Sequence, residues 1–213
     1  TDSGYRKLKS GNFELIADVG EVGPSYQPGH AHSDSLSFVL YHEGVPIIVD
    51  RGISTYEKNQ TREEERGTDS HNTVVINNKE QTDVWGGFRV GRRARPVIIT
   101  DEEQNLKATH TGYESLGINH FREWIVNEKE LQIADEIKGK KAEATAYIHL
   151  HPEVKPIKIE ECVYKLKNLT LVLDNPISVT IESYLFCLGF NKTQQAQRFV
   201  ISFNKSLKTT LKT

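Results

Sequence analysis

Methionine is absent from this 213-residue chain, and cysteine occurs only twice. Cys162 and Cys187 both lie in apolar, strand-like contexts and read as free thiols rather than a disulfide. They leave the redox compartment open. No run of 18 apolar residues occurs, so no transmembrane helix is expected. Neither sign of charge dominates: 27 lysines and arginines face 29 aspartates and glutamates, a net of −2. That balance gives no basis for binding nucleic acid or an anionic membrane. The opening Thr1-Asp2-Ser3-Gly4-Tyr5 is neither a start methionine nor a signal peptide. The chain reads as a piece of something longer or processed, with any targeting signal upstream.

Helical periodicity is also scarce. What is present is a succession of short apolar or alternating runs broken by turn residues about every ten positions, the pattern of an all-β antiparallel sandwich or barrel. We expect a large β-sandwich of about 12–14 short strands. Residues 36–41 and 45–50 read as a hairpin turned at His42-Glu43-Gly44. Residues 120–126 alternate as a strand with one buried face does. One helical turn is expected near Thr193 to Gln197. The polar, highly charged segment Tyr56 to Ser70 reads as a long surface loop beside a binding cleft. The chain is taken as one domain, 1–213, with a weak boundary near Pro152 to Pro156.

The chemistry concentrates in three places. Gly29-His30-Ala31-His32-Ser33-Asp34 carries two histidines two apart, which on a strand project to the same side. Asp50 ends an apolar run, where a carboxylate needs a partner. His71 opens another. Imidazole and carboxylate are ligands that zinc prefers, and the three segments together make a His-Asp-His zinc site with one histidine left over. Asp34 is placed to orient a ligand histidine through its second ring nitrogen. Read singly, each residue has a plainer role: loop histidines after Pro28-Gly29, an aspartate capping a turn before Gly52, a strand-edge histidine. His42, His110, His120, His149 and His151 match no ligand spacing.

These motifs are familiar as a set. Gly29-His30-Ala31-His32-Ser33-Asp34-Ser35-Leu36-Ser37-Phe38, then Ile48-Val49-Asp50-Arg51-Gly52-Ile53-Ser54-Thr55-Tyr56, then Ser70-His71-Asn72-Thr73-Val74, then Val84-Trp85-Gly86-Gly87-Phe88-Arg89-Val90-Gly91-Arg92-Arg93-Ala94-Arg95-Pro96 resemble the heparinase II/III-like family. The resemblance is strongest from Val19 to Pro96 and extends over the chain as that family's C-terminal β domain. It implies part of a bacterial, periplasmic or secreted polysaccharide lyase that cleaves uronic-acid-containing glycans such as heparan sulfate or alginate by β-elimination. It further implies a structural Zn2+ on His32, Asp50 and His71, with His30 reaching into the cleft. The partner would be an N-terminal helical toroid supplying a tyrosine and an asparagine, so that this chain alone is inactive. Two positions depart from the family pattern: Gly29 stands where asparagine is usual, and Asp50-Arg51-Gly52 replaces an aspartate-serine-glycine turn.

Tyr56 is a second candidate catalytic group, with a surface aromatic as its plainer reading. Arg89 and Arg92 are candidate substrate-binding residues, because a guanidinium fork matches carboxylate and sulfate; a solvated strand face is the alternative. Trp85 is a candidate sugar-stacking residue, against core packing. Two other functions compete. One is a non-catalytic carbohydrate-binding or assembly module with structural zinc. The other is a cupin-like metal enzyme, which would place a glutamate nearer to His32 than Glu43.

Overall fold

The computed structural model describes residues 3–213; Thr1 and Asp2 of the opening segment lie outside them. Strands dominate. The first four form one antiparallel sheet in the order β1 (Tyr5–Ser10), β2 (Phe13–Asp18), β3 (Phe38–His42) and β4 (Val45–Ile48). The expected hairpin at Glu43-Gly44 joins the last two, and both turn residues take positive φ, as a two-residue turn between twisted strands requires. A second four-stranded sheet runs β16 (Ser178–Gly189), β17 (Lys192–Phe203), β12 (Ala144–His149), β5 (Val74–Ile76).

The opposing layer has eight strands. It contains β8 (Pro96–Asp101), β9 (Asn105–His110), β10 (Ile118–Val126), β11 (Glu130–Gly139), β13 (Pro156–Glu160), β14 (Val163–Leu166), β15 (Leu169–Asp174) and β18 (Ser206–Lys212). Their order is β13-β14-β15-β18-β11-β10-β9-β8. A two-stranded ribbon, β6 (Val84–Trp85) and β7 (Arg89–Val90), sits apart. The fold is the expected β-sandwich. Inward residues from both layers, among them Phe13, Leu15, Phe38, Ile48, Trp124, Ile133, Phe199 and Phe203, form one core. Strict alternation along β10 and β11 places every second side chain there.

Five strands were not expected: β1, β6, β7, β13 and β18. Lysines dilute the apolar signal in Tyr5–Ser10 and Ser206–Lys212, yet β18 lies in mid-sheet between β11 and β15. The helical turn near Thr193–Gln197 is corrected, because those residues are part of β17 and pair with β16. The Tyr56–Ser70 loop is corrected as well: it contains helix α1 (Gln60–Arg66), capped by the Asn59 side chain accepting from the Arg62 N–H at 2.9 Å. Strands on either side of Pro152–Pro156 pair with one another, β18 with β11 and β17 with β12. Cys162 and Cys187 are both free. Among the described residues no helix is long and apolar enough to cross a membrane.

A buried polar network spans the core. The Arg122 guanidinium donates to both Asp135 oxygens at 2.7 and 3.0 Å, and His120 Nε2 donates to the same carboxylate at 2.7 Å. Burial would raise the Asp135 pKa, but Arg122 and His120 overcome it and hold it at about 2. A depressed carboxylate stabilises the fold above its unfolded pKa and loses that contribution as pH falls towards the folded one. Acid titration is therefore expected to remove roughly 2 kcal/mol between about pH 4 and pH 2. Equilibrium urea unfolding across that interval measures it, and the Asp135→Asn variant should show a flatter acid limb.

Candidate functional site

The site forms where two strands share one edge of β12. β5 pairs with its first half, at Ala144–Ala146. The end of β4 takes over at the second, through Val49 N–H to His149 O and His151 N–H to Ile47 O, both 3.0 Å. The chain leaves β4 at Asp50 and approaches β5 through His71, so these residues face each other across the gap. Asn72 fills it. Its amide donates to Phe38 O and Val49 O at 2.8 and 2.9 Å, and its side-chain oxygen accepts from His149 N–H at 2.7 Å.

Further buried bonds hold the histidine-bearing loop against this gap. Thr73 Oγ1 donates to Ser35 O at 2.8 Å, and Ser33 and Thr68 share a hydroxyl contact at 2.7 Å. Arg122 Nη1 reaches Leu36 O and Asn72 O at 2.8 and 2.6 Å. The three segments are thus assembled by the protein's own hydrogen bonds.

His71 is buried, and its Nδ1 contacts Asp50 Oδ2 at 2.6 Å. The Gly52 N–H donates to the other Asp50 oxygen at 2.8 Å. Burial opposes a charged His71, but the Asp50 charge and hydrogen bond prevail and raise its pKa to about 9. The other nitrogen, Nε2, faces His32 Nδ1 at 3.3 Å. Burial and His71 push His32 down to about 3, so one imidazole presents a lone pair to the other. Ligand atoms of His32, Asp34 and His71 all lie within 4.8 Å of one another.

The donor set fits a divalent cation. Bonds of about 2.0–2.1 Å in a tetrahedron separate two ligand nitrogens by about 3.4 Å, which matches the His32–His71 separation. Asp50 on the far nitrogen of His71 fixes the ring, the usual second contact of a metal-binding histidine. Asp50 meets the His71 nitrogen turned away from His32, and Asp34 lies on the side of His71 that faces His32.

His30 and His32 do not project to one side, because residues 28–36 form turns and not a strand. Ala31 N–H bonds to Pro28 O at 2.8 Å, while Arg66 donates to Ala31 O through Nε and Nη2 at 3.1 and 2.9 Å. Held at Ala31, the two histidines diverge. His32 turns inward to His71. His30 stays exposed, edge-on to Tyr56 and Phe88 with ring centroids 5.7 and 5.9 Å away. Both histidines line a cleft of about 320 Å³ with Tyr5, Asp18, Glu21 and Asp34. Burial and the neighbouring Asp34 push Asp18 up to about 7.

Over residues 1–213 the sequence matches the family model described as heparinase II/III-like, C-terminal. The chain belongs to the heparinase II/III-like family, as its C-terminal domain. Solved structures agree on the fold. A heparan sulfate lyase HepC from Pedobacter heparinus superposes with a TM-score of 0.77 at 17% identity, covering 99% of this chain and 35% of that one. A mutant of the same lyase gives 0.76 at 15% identity, covering 100% and 35%, and a heparinase III gives 0.73 at 17%, covering 99% and 35%. The chain thus spans about a third of the length of these proteins. No curated protein matches it.

The arginine-rich motif of this heparinase II/III-like domain divides by role. Arg89 and Trp85 are exposed and oppose each other across the β6–β7 ribbon. Arg92 is exposed, and its guanidinium donates to Gln81 O, Glu80 O, Gly112 O and Asp83. Arg93 likewise ties down Val22, Pro24 and Ser25 through their carbonyls. Sequence reasoning missed Arg62, Arg66 and Asp18. The first two were concealed in a charged run that reads as solvated, although both are buried. The sole hint was four-residue spacing behind an asparagine cap.

Proposed function

We propose that this domain forms one wall of the active-site cleft of a lyase that cleaves uronic-acid-containing polysaccharides by β-elimination, with His30 facing the substrate and a structural Zn2+ behind it. The observation that carries the reading is the divergence at Ala31, which leaves the His30 imidazole exposed beside Tyr56 and turns the His32 imidazole inward to the buried His71. His32, His71 and Asp34 would hold the ion, with Asp50 orienting His71. Such an ion supplies a fixed link among the three segments and takes no part in bond breaking.

β-Elimination removes the C5 proton of a uronate and expels the C4 oxygen. The adjacent carboxylate makes that proton hard to remove until its charge is neutralised. His30 would donate to the carboxylate and stabilise the enolate that develops there. Tyr56, half-exposed and edge-on to His30, presents a phenol that can accept the C5 proton or protonate the leaving oxygen. Arg89 and Trp85 extend the cleft wall as an anion contact and a stacking surface. The remaining cleft wall would come from a larger helical domain of the same protein, acting on a bacterial glycan in the periplasm or outside the cell.

The test is turnover by the full-length protein on uronate-containing glycans, read as the ultraviolet absorbance of the unsaturated product. His30→Ala is expected to lower kcat by about 10²-fold or more, the scale for removing one donor from a developing oxyanion. Unchanged turnover in that variant would favour a binding or assembly module. Full activity of this domain alone would refute the need for a second wall.

A further inference from the structure

Arg62 and Arg66 are four residues apart on α1, so they share one helix face. Both are fully buried. Nη1 and Nη2 of Arg62 and Nη1 of Arg66 have no hydrogen-bond partner. The arginine ion pairs among the described residues belong to Arg6, Arg92, Arg122 and Arg198. The α1 carboxylates make no hydrogen bond to either arginine, although the Glu65 charge acts on Arg62 and the Glu63 charge on Arg66. Glu65 accepts from the Ser54 N–H and hydroxyl, Glu63 from Gly86 N–H, and Glu64 from Gln60.

Two like charges at this spacing repel, and a buried charge without a partner is strongly unfavourable. The Tyr56 and Phe88 rings, 5.2 and 5.6 Å from the Arg62 Cζ, attract the cation but leave its outer N–H groups unbonded. An anion from outside this domain would complete the pair. A guanidinium fork matches a planar or tetrahedral oxyanion. Tyr56, whose ring lies against Arg62, and His30, edge-on to Tyr56, are both exposed.

We propose that Arg62 and Arg66 form a socket for an oxyanion, the carboxylate or sulfate of an acidic sugar admitted past Tyr56 and His30. The choice of a sugar rests on the lyase reading above; the socket itself rests on the unpartnered guanidinium groups.

The test is a thermal-shift and calorimetric titration of the protein with sodium sulfate and, separately, with a glucuronate-containing disaccharide, at ionic strength fixed with chloride. Wild type should be stabilised saturably. Arg62→Met removes the charge and keeps the apolar stem. It should melt at or above the wild-type temperature without ligand and gain nothing from either anion. Arg62→Lys keeps the charge without the fork and should bind at least tenfold more weakly. A disaccharide at least tenfold tighter than sulfate supports the sugar assignment; sulfate binding as tightly overturns it.

No saturable response in wild type overturns the socket. So does an Arg62→Met variant that melts lower by the same interval with and without ligand. A zinc titration of the same samples separates the two readings. Failure of the socket leaves the zinc response in place, and failure of the metal cradle leaves the anion response in place.

Discussion

Asp135→Ala is expected to destabilise the protein by about 3–5 kcal/mol, the range for removing one partner of a buried ion pair. Asp135 is 2% exposed and accepts from Arg122 and His120, which are equally enclosed. Alanine would leave the Arg122 charge uncompensated in the core. The same arginine also holds the carbonyls of Leu36 and Asn72, so its release loosens the loops that carry His32 and His71. For a chain of this length the loss corresponds to a fall in Tm of roughly 6–20 °C. Urea denaturation of the variant measures it. The double variant Arg122→Met with Asp135→Leu should recover most of the loss, because both charges are then gone. A cost below about 1 kcal/mol for Asp135→Ala, against the range expected for a buried pair, would mean that water reaches the pair.

Zinc at about 1,000 times its Kd is expected to stabilise the domain by about 4 kcal/mol, because it binds the folded state alone. His32→Ala and His71→Ala should abolish the response. Asp34→Asn should weaken binding more than Asp50→Asn, for which about 10–100-fold is expected of a residue that orients a ligand. The reverse ranking would restore Asp50 to the ligand set. Removal of the ion by a chelator should lower Tm yet leave the protein folded at 25 °C. Asn72, Thr73 and Arg122 already join the three segments without it, unlike a zinc finger, which has no other core. An unfolded metal-free protein, or a Tm indifferent to zinc, would count against the cradle.

The parts of the fold legible in sequence were those where the apolar period is clean. Residues 120–126 and 130–137 alternate without interruption, and both lie in central strands of the large sheet. Ser206–Lys212 was invisible for the opposite reason: its lysines break the pattern, although five of its seven residues are at least half-buried between β11 and β15. The candidate site was legible as a set of residues but not as a geometry. Residue types suggested imidazole and carboxylate ligands; they did not say which nitrogen of His71 meets which partner.

What the chain order alone determined is therefore the β class and the family, and it singled out His30, His32, Asp50 and His71 as candidates, since local period and side-chain type are properties of short segments. Tertiary structure decided the rest. It set Asp50 behind His71, brought Asp34 to the cradle side, split His30 from His32, and turned a charged run into a helix with two buried arginines. Each of those outcomes depends on contacts between residues 20 to 90 positions apart. Such contacts are selected by the packing of whole sheets against one another, which no short window of sequence contains.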